Sequence, residues 1–110
     1  MNLNKFKSIA FKSDHRNYKH VAIVMKNGNI LATGFNKGPI HAEVNALEKI
    51  WPKNRKGTIV ISLRFTNKGL ASSMPCYKCR VYMQLNKVSK YQYVEKNPFS
   101  ISSTVRTDAL

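Results

Sequence analysis

Two cysteines and one histidine of this chain have the residue types and spacing of a metal site. Cys76 and Cys79 form a Cys-x-x-Cys sequence, which places both thiols on one face in the first turn of a predicted helix. The helix dipole and the free N–H groups at that end favour the thiolates that zinc binds. His41 stands in the first turn of an earlier predicted helix. Three such ligands leave the fourth tetrahedral position of zinc open, which is typical of a catalytic site.

Glu43 adds an acid beside the predicted metal site. It follows His41 by two positions, so its carboxylate can approach a water in the open position without replacing a ligand. Zinc lowers the pKa of such a water towards ~7, and a nearby carboxylate can take its proton and return it to a substrate. His-x-Glu followed by Pro-Cys-x-x-Cys is the signature of zinc-dependent nucleobase deaminases. We therefore expect Zn2+ to be held by His41, Cys76 and Cys79, with Glu43 as the catalytic residue.

Each of these features taken alone has a simpler interpretation. A Cys-x-x-Cys pair is as often redox-active or structural, a single His is usually a packed or surface residue, and a Glu near a helix start often only interacts with the dipole. His15 and His20 are further metal-ligating side chains, but they lack a recognisable spacing. A non-catalytic zinc or nucleic-acid-binding module therefore stays as an alternative, although a structural zinc site has no use for Glu43.

The net charge is unusual for a chain of this size. Its 110 residues include 19 Lys and Arg but 5 Asp and Glu, a formal charge of +14. Such a domain attracts polyanions and phosphates. The alternative is that the charged side chains only form a solvated surface without a binding partner. The hydrophobic fraction of 43% excludes a disordered chain, and no apolar run reaches the ~18 residues of a membrane span. Two such close cysteines would add little stability as a disulfide, so we expect a cytoplasmic protein without a membrane partner.

Hydrophobic periodicity and turn residues predict an alternation of helices and strands. The predicted elements are a helix over 1–12, strands over 21–25 and 30–34 around Asn27-Gly28, a helix over 41–51 stopped by Pro52, a strand over 58–65, a loop over 67–73, a helix over 76–86 opened by Pro75, a strand over 88–94, a turn at Asn97-Pro98 and a last strand over 101–105. This order predicts a single domain, residues 1–110, with a three-layer α/β/α fold and a mixed sheet of four to five strands.

The sequence around the predicted metal site resembles the cytidine/deoxycytidylate deaminase superfamily. Segment 34–39, GFNKGP, is similar to the G-[YF]-N-x-x-P of deoxycytidylate deaminases, and segment 41–46, HAEVNA, is similar to their H-A-E-x-N-A. The resemblance extends from about Val21 to Val94 and includes the order of the elements. It implies a cytidine-deaminase-like fold and a zinc-dependent deaminase.

The resemblance also implies how a substrate is held. It implies that Asn36 hydrogen-bonds the sugar, that backbone groups around Ala42 and Cys76 hold the carbonyl of the base, and that a backbone carbonyl near Ser73 accepts from its amino group. A turn residue after a strand is the alternative interpretation of Asn36.

The chain departs from the family pattern in three places. Free-cytidine deaminases carry Asn-x-Glu where this chain has Asn36-Lys37-Gly38, so the acid that helps to grip the sugar is absent. Deoxycytidylate deaminases carry a long insert before His-Ala-Glu, whereas only residues 37–40 intervene here. The chain also lacks room for the C-terminal helices of tRNA-type enzymes, so we expect its last strand to return as an antiparallel hairpin.

These observations predict zinc-dependent hydrolytic deamination of cytosine to uracil in a nucleotide, of the dCMP/cytidine type. The alternative is a cytosine deaminase that acts on a base within single-stranded DNA or RNA, with Phe35, Tyr77 and Tyr91 as candidates for stacking on bases. The expected partner is a cytosine-containing nucleotide, with a single-stranded nucleic acid and a homo-oligomer as further candidates.

Overall fold

A computed structural model describes residues 3–73, 76–96 and 103–109 of the chain. Strands and helices alternate along it in the order that the sequence predicts, with one additional short helix and one additional short strand. The elements are α1 (Leu3–Ala10), β1 (Lys19–Lys26), β2 (Asn29–Phe35), α2 (Ala42–Leu47), α3 (Pro52–Arg55), β3 (Ile59–Thr66), β4 (Gly69–Ala71), α4 (Tyr77–Leu85), β5 (Lys90–Lys96) and β6 (Ser103–Ala109).

The first two strands form the predicted hairpin. Asn27 and Gly28 make the turn with φ angles of 52° and 78°. Positive φ at both central residues is the backbone of a type I′ turn, whose twist matches that of the flanking strands. The antiparallel register places Val21 opposite Phe35 at the open end of the hairpin. The chain therefore leaves β2 next to the start of β1.

The six strands form one mixed sheet in which β3 is central. The strand order is β2-β1-β3-β5-β6, with β4 paired to β3 beside this path. One edge of β3 pairs with β1 along most of its length, so β5 and β4 must share the other edge. The parallel partner β5 pairs with 59–62 of β3, and β4 pairs with 64–66. The parallel pair thus ends at Ser62, and ligands of α/β proteins commonly bind beyond the carboxyl ends of such strands.

Helices cover both faces of the sheet, which confirms the three-layer arrangement. Successive side chains of a strand point to opposite faces. Val21 and Ile23 of β1 accordingly pack in the cluster that contains Phe6 of α1. Ala22 and Val24 belong to the cluster on the other face, which includes residues of α2 and α4. None of the described helices has the length and apolar character needed to cross a bilayer.

The predicted helix over 41–51 is shorter in the structure and is followed by a second helix. α2 ends at Leu47, and the chain then tightens through a hydrogen bond from Ile50 N to Leu47 O. Pro52 disfavours a helical conformation for the residue before it, and Trp51 is extended with ψ of 137°. Pro52 does not simply stop a helix, because it occupies the first turn of α3, where its missing N–H is harmless.

The prediction of four to five strands was too low, because 67–73 is not a loop throughout. Gly69–Ala71 forms β4, which pairs with the end of β3 across the turn at residues 67–68. Gly69 and Ala71 carry little strand propensity, so this short strand depends on the free edge of β3. β6 returns antiparallel to β5 as expected and extends beyond the predicted end at 105 to Ala109, while residues 101–102 lie outside the described residues. The predictions for Pro75 and for Asn97-Pro98 lie outside the described residues.

Gly34 allows β2 and α2 to approach at backbone distance. A Cβ on Gly34 would lie 2.4 Å from the backbone nitrogen of Ala46 and 2.8 Å from its Cα. The side chain of Asn45 reinforces this contact, since its Oδ1 accepts a hydrogen bond of 3.2 Å from Phe35 N. Gly34 and Asn45 therefore fix α2, and with it the positions of His41 and Glu43, against the sheet.

We expect Gly34→Ala to lower the free energy of unfolding by about 1–3 kcal/mol, because neither backbone atom can move aside without displacing α2. Denaturant unfolding followed by circular dichroism measures this change. Gly28→Asn is the matched control, because Gly28 has open space around it and Asn tolerates its positive φ. Equal stability of the two variants would contradict the proposed role of the close contact.

Candidate metal centre and active site

Two helix N-termini bring the predicted metal ligands together. His41 is the N-cap of α2, with extended backbone angles of −75° and 156°. Cys76 is the N-cap of α4, where its Sγ accepts a hydrogen bond of 3.4 Å from Cys79 N. Cys79 lies one turn further along α4 and is buried. The first turns of α2 and α4 thus present one imidazole and two thiols to the same point.

The three donor atoms lie close enough together to bind one metal ion. His41 Nδ1 lies 3.0 Å from Cys79 Sγ and 3.5 Å from Cys76 Sγ, and all three donors lie within 4.8 Å of one another. Nitrogen and sulfur ligands of a tetrahedral zinc, at 2.0–2.3 Å from the metal, lie roughly 3.5–3.8 Å apart. The group is therefore compatible with Zn2+ in donor type; the His41–Cys76 distance matches this spacing, and the His41–Cys79 distance is shorter than it.

The environment of Cys79 also fits a metal cation. Burial raises the pKa of the Cys79 thiol, and the carboxylate of Glu43 raises it further. Without a neighbouring positive charge this thiol stays protonated at neutral pH. A coordinated cation reverses that preference, because metal ligation requires and stabilises the thiolate.

Glu43 is buried, and side chains of β3 and β5 anchor it near the point where these two strands stop pairing. Only 4% of its surface is exposed. Its Oε1 accepts hydrogen bonds of 2.9 Å from Ser62 Oγ in β3 and 3.3 Å from the Tyr91 hydroxyl in β5. Burial, followed by the charge of Glu43, raises the pKa of Tyr91, so this phenol remains a donor. The carboxylate is thus held in one orientation by groups that sequence reasoning did not identify.

Ser73 forms hydrogen bonds to both β3 and β5 near the point where these two strands stop pairing. Its Oγ donates to Ser62 O and accepts from Val94 N, both at 2.8 Å, and its N–H donates to Val94 O at 2.9 Å. Its carbonyl oxygen lies 3.4 Å from the Tyr91 hydroxyl. The side chain of Ser73 therefore has a structural function, while its carbonyl lies close to the group that anchors Glu43.

The structure places Asn36 and Ala42 beside the candidate metal centre. The amide of Asn36 holds the start of β1, accepting from His20 N at 2.9 Å and donating to Tyr18 O. Both amide atoms can form a second hydrogen bond, so this structural role does not exclude a contact with substrate. Ala42 is the first residue of α2, where a helix leaves N–H groups without an internal acceptor.

A cavity of about 330 Å³ opens over this group of residues. Its volume lies at the lower end of the range of small-molecule sites, about 300–1,000 Å³. The lining residues are His15, Tyr18, His20, Asn36, Gly38, Pro39, Ile40, His41, Ala42, Glu43 and Cys76. The cavity thus unites five of the seven predicted site residues, whereas Cys79 and Ser73 are buried and do not line it.

The segment before β1 forms a wall of the cavity that the sequence did not reveal. Asp14 accepts a hydrogen bond of 3.1 Å from Gly38 N, and His15 Nε2 lies 3.0 Å from Gly38 O. Burial lowers the pKa of His20, which also faces the cavity. Among the described residues, His15 and His20 are not part of the three-donor group. The clustering of His and Tyr in 15–20 is the signal that could have pointed to this wall.

Tyr91, one of three candidates for stacking on bases, is a core residue instead. Its side chain is fully buried because it packs under α2 and α4 and reaches Glu43. Tyr77 is 81% exposed, and neither Tyr77 nor Phe35 lines the cavity. Tyr18 is the aromatic residue that does line it.

We expect Tyr91→Phe to lower kcat by roughly 10–100-fold, because a hydrogen bond to a charged group contributes about 1.5–3 kcal/mol. KM should change little, since Tyr91 is not in the cavity wall. Steady-state kinetics measures both constants. Tyr93→Phe is the control, since that ring lies 5.5 Å from the Tyr91 ring but is not a donor to Glu43. Similar losses in both variants would show that packing, and not the hydroxyl, is responsible.

The fold has close counterparts among solved structures. The apo dCMP deaminase of the cyanophage S-TIM5 is 26% identical, with a TM-score of 0.61 over 81% of this chain and 75% of that one. Two crystal forms of Acinetobacter baumannii RibD superpose with TM-scores of 0.56 and 0.58 at 18% and 17% identity. They cover 81% and 90% of this chain but 25% and 28% of the RibD chains, and at this identity they show the fold alone.

Sequence comparison assigns the family. No protein of curated function matches the chain in sequence. Residues 3–95 match the family model of the cytidine and deoxycytidylate deaminase zinc-binding region. The matched range includes the three zinc-compatible donors, the buried carboxylate and the strands that anchor it. With most of its length matched, the chain belongs to the cytidine and deoxycytidylate deaminase family of zinc-binding proteins.

Proposed function

We propose that the protein hydrolyses the 4-amino group of cytosine in a nucleotide, giving uracil and ammonia. The observation that carries this proposal is that zinc-type donors and an anchored, buried carboxylate meet at one cavity. Family membership supports the deamination. The similarity to a structure described as a dCMP deaminase supports a cytosine nucleotide as the substrate. The cavity of about 330 Å³ is of a size that suits a single small base.

In this proposal Glu43 moves the protons. His41, Cys76 and Cys79 would hold the zinc ion, which when bound would supply the Lewis acidity that lowers the pKa of water towards ~7. Glu43 takes a proton from the attacking water and delivers it to N3 of cytosine. It then takes the remaining proton from the hydroxyl group now on C4 and transfers it to the departing amine, so that the C–N bond breaks, ammonia leaves and a carbonyl forms at C4. The hydrogen bonds from Ser62 and Tyr91 keep the carboxylate oriented during both transfers.

Three predicted contacts would hold the nucleotide in the cavity. Asn36 faces it and retains an unused donor and acceptor position on its amide, which suits a sugar hydroxyl. The N–H of Ala42 lies at the start of α2 and suits the carbonyl of the base. A backbone carbonyl near Ser73 is the third predicted contact, for the amino group that leaves; the carbonyl of the buried Ser73 itself lies 3.4 Å from the Tyr91 hydroxyl.

A base within a single strand is the second candidate substrate. The short connection of residues 37–40 between Asn36 and His41 is the observation that favours it. The formal charge of +14 also favours a polyanionic substrate.

The experiment is a product assay of the zinc-loaded protein with dCMP, cytidine and a cytosine-containing single strand, with the adenine counterparts as competing substrates. We expect uracil products, identified by mass and chromatography. Formation of inosine or hypoxanthine products without any uracil product would overturn the assignment of the base.

A further inference from the structure

A second concave surface lies next to the catalytic cavity and is rich in positive charge. This basic groove has a volume of about 350 Å³. It is lined by Phe11, Arg16, Asn17, Lys19, Arg64, Phe65, Thr66, Asn67 and Lys68. Four of the nine lining residues are cationic and none is acidic. Clustered cations without carboxylates create a positive potential that attracts phosphates.

Tyr18 and Arg64 connect the basic groove to the catalytic cavity. The ring of Tyr18 lines the cavity, and the Arg64 guanidinium carbon lies 4.5 Å from the centre of that ring. Arg64 is paired with His20 across β1 and β3, so the two side chains share a face of the sheet. Ser62, which anchors Glu43, lies two residues before Arg64 on that face, about 7 Å along the strand. Arg64, which lines the groove, therefore lies on the same face of the sheet as Ser62 and contacts an aromatic residue of the cavity wall.

The four cationic side chains of the groove differ in whether they form hydrogen bonds within the protein. Lys19 donates to Ser13 O at 3.0 Å and so has an internal partner. Arg64 donates from Nη2 to Asn17 O at 3.2 Å, while its buried Nε has no hydrogen-bond partner in the described part of the chain. Arg16 and Lys68 are exposed. These two residues come from different segments, one before β1 and the other in the turn between β3 and β4.

We infer that the basic groove binds the phosphate that flanks the sugar of the target nucleotide. This inference rests on the proposed function. It assigns a phosphate site to a chain in which only residues 37–40 lie between Asn36 and His41. With the base against Glu43 and the sugar beside Asn36 and Tyr18, a phosphate one sugar away reaches Arg64. Arg16 and Lys68 then provide further positive charge in the groove. The phosphate belongs either to the mononucleotide itself or to the backbone of a strand.

The test compares Arg16→Gln and Lys68→Gln with the control Lys53→Gln. Lys53 is an exposed cation of α3, which precedes the start of β3, whereas the groove lies at the end of β3. The kcat/KM values of dCMP and of a cytosine-containing strand are each divided by that of deoxycytidine. We expect each groove variant to lower one or both ratios by roughly 10-fold, since a charged hydrogen bond is lost. Lys53→Gln should leave both ratios unchanged.

The two arms of this experiment identify the source of the phosphate. A lower dCMP ratio assigns the groove to the phosphate of the mononucleotide. A lower ratio for the strand alone assigns it to a neighbouring phosphate in a backbone. Unchanged ratios in both arms, or an equal loss on deoxycytidine, overturn the inference.

A binding measurement separates this inference from the proposed function. Oligothymidylate has no amino group to lose, so its binding does not depend on deamination. We expect Arg16→Gln and Lys68→Gln each to reduce the slope of log K against log salt by about 0.7, the value for one phosphate contact with a single strand. If no cytosine substrate is deaminated, the proposed function fails. The salt slope still tests whether the groove binds phosphate, because it does not depend on deamination. Slopes equal to that of Lys53→Gln would then overturn the inference.

Discussion

Glu43→Gln should lower kcat by ~10²–10⁴ or more, because a positioned general acid and base is removed. Glutamine keeps the length of the side chain, and its carbonyl oxygen can still accept from Ser62 and Tyr91. What it loses is the ability to take up and release a proton. Zinc content and thermal stability should therefore stay near the wild-type values, and single-turnover kinetics with dCMP measures the chemical step.

Glu48→Gln is the matched control for this prediction. Glu48 is the exposed residue that follows α2, and it does not line the cavity. The control should retain wild-type turnover. Near-normal activity of Glu43→Gln would show that another group moves the protons.

Cys76→Ser should remove zinc while preserving the helix that carries the site. Serine is a preferred N-cap, so it can replace Cys76 at the start of α4 and accept from Cys79 N. Its hydroxyl is not a zinc ligand of the thiolate type. Mutation of a residue that only hydrogen-bonds to a metal ligand costs about 10–100-fold in metal affinity. We therefore expect the loss of a ligand itself to cost more and to abolish turnover.

Elemental analysis after dialysis against a competing chelator measures this loss. His15→Asn is the control, since His15 lines the same cavity without belonging to the three-donor group. It should retain one zinc per chain. If Cys76→Ser also retains one zinc per chain with wild-type affinity, Cys76 is not a ligand.

The parts of the site that the sequence predicts are those with local spacing. Cys76 and Cys79 are one helical turn apart, and Glu43 follows His41 by two residues, so each pair has a fixed geometry once a helix forms. The hairpin at Asn27-Gly28 is predicted for the same reason, because the turn alone requires those residue types.

The remaining features depend on register and on long-range packing. Tyr91 and Ser62 reach Glu43 only because β3 and β5 pair in parallel and then separate at Ser62. Nothing in the composition of TIVISLRF indicates which of its side chains faces α2. The short β4 and the early end of α2 are likewise set by a free strand edge and by Pro52, rather than by intrinsic propensity.

The most direct measurement is product analysis after turnover of a cytosine nucleotide in 18O-labelled water by the zinc-loaded protein. Hydrolytic attack at C4 places one oxygen of the water in the new carbonyl group and releases the amine as ammonia. We expect a uracil nucleotide that carries a single 18O atom, equimolar ammonia, and product formation slower by ~10² or more with Glu43→Gln. Absence of a uracil product, or a uracil product without the label, would contradict this expectation.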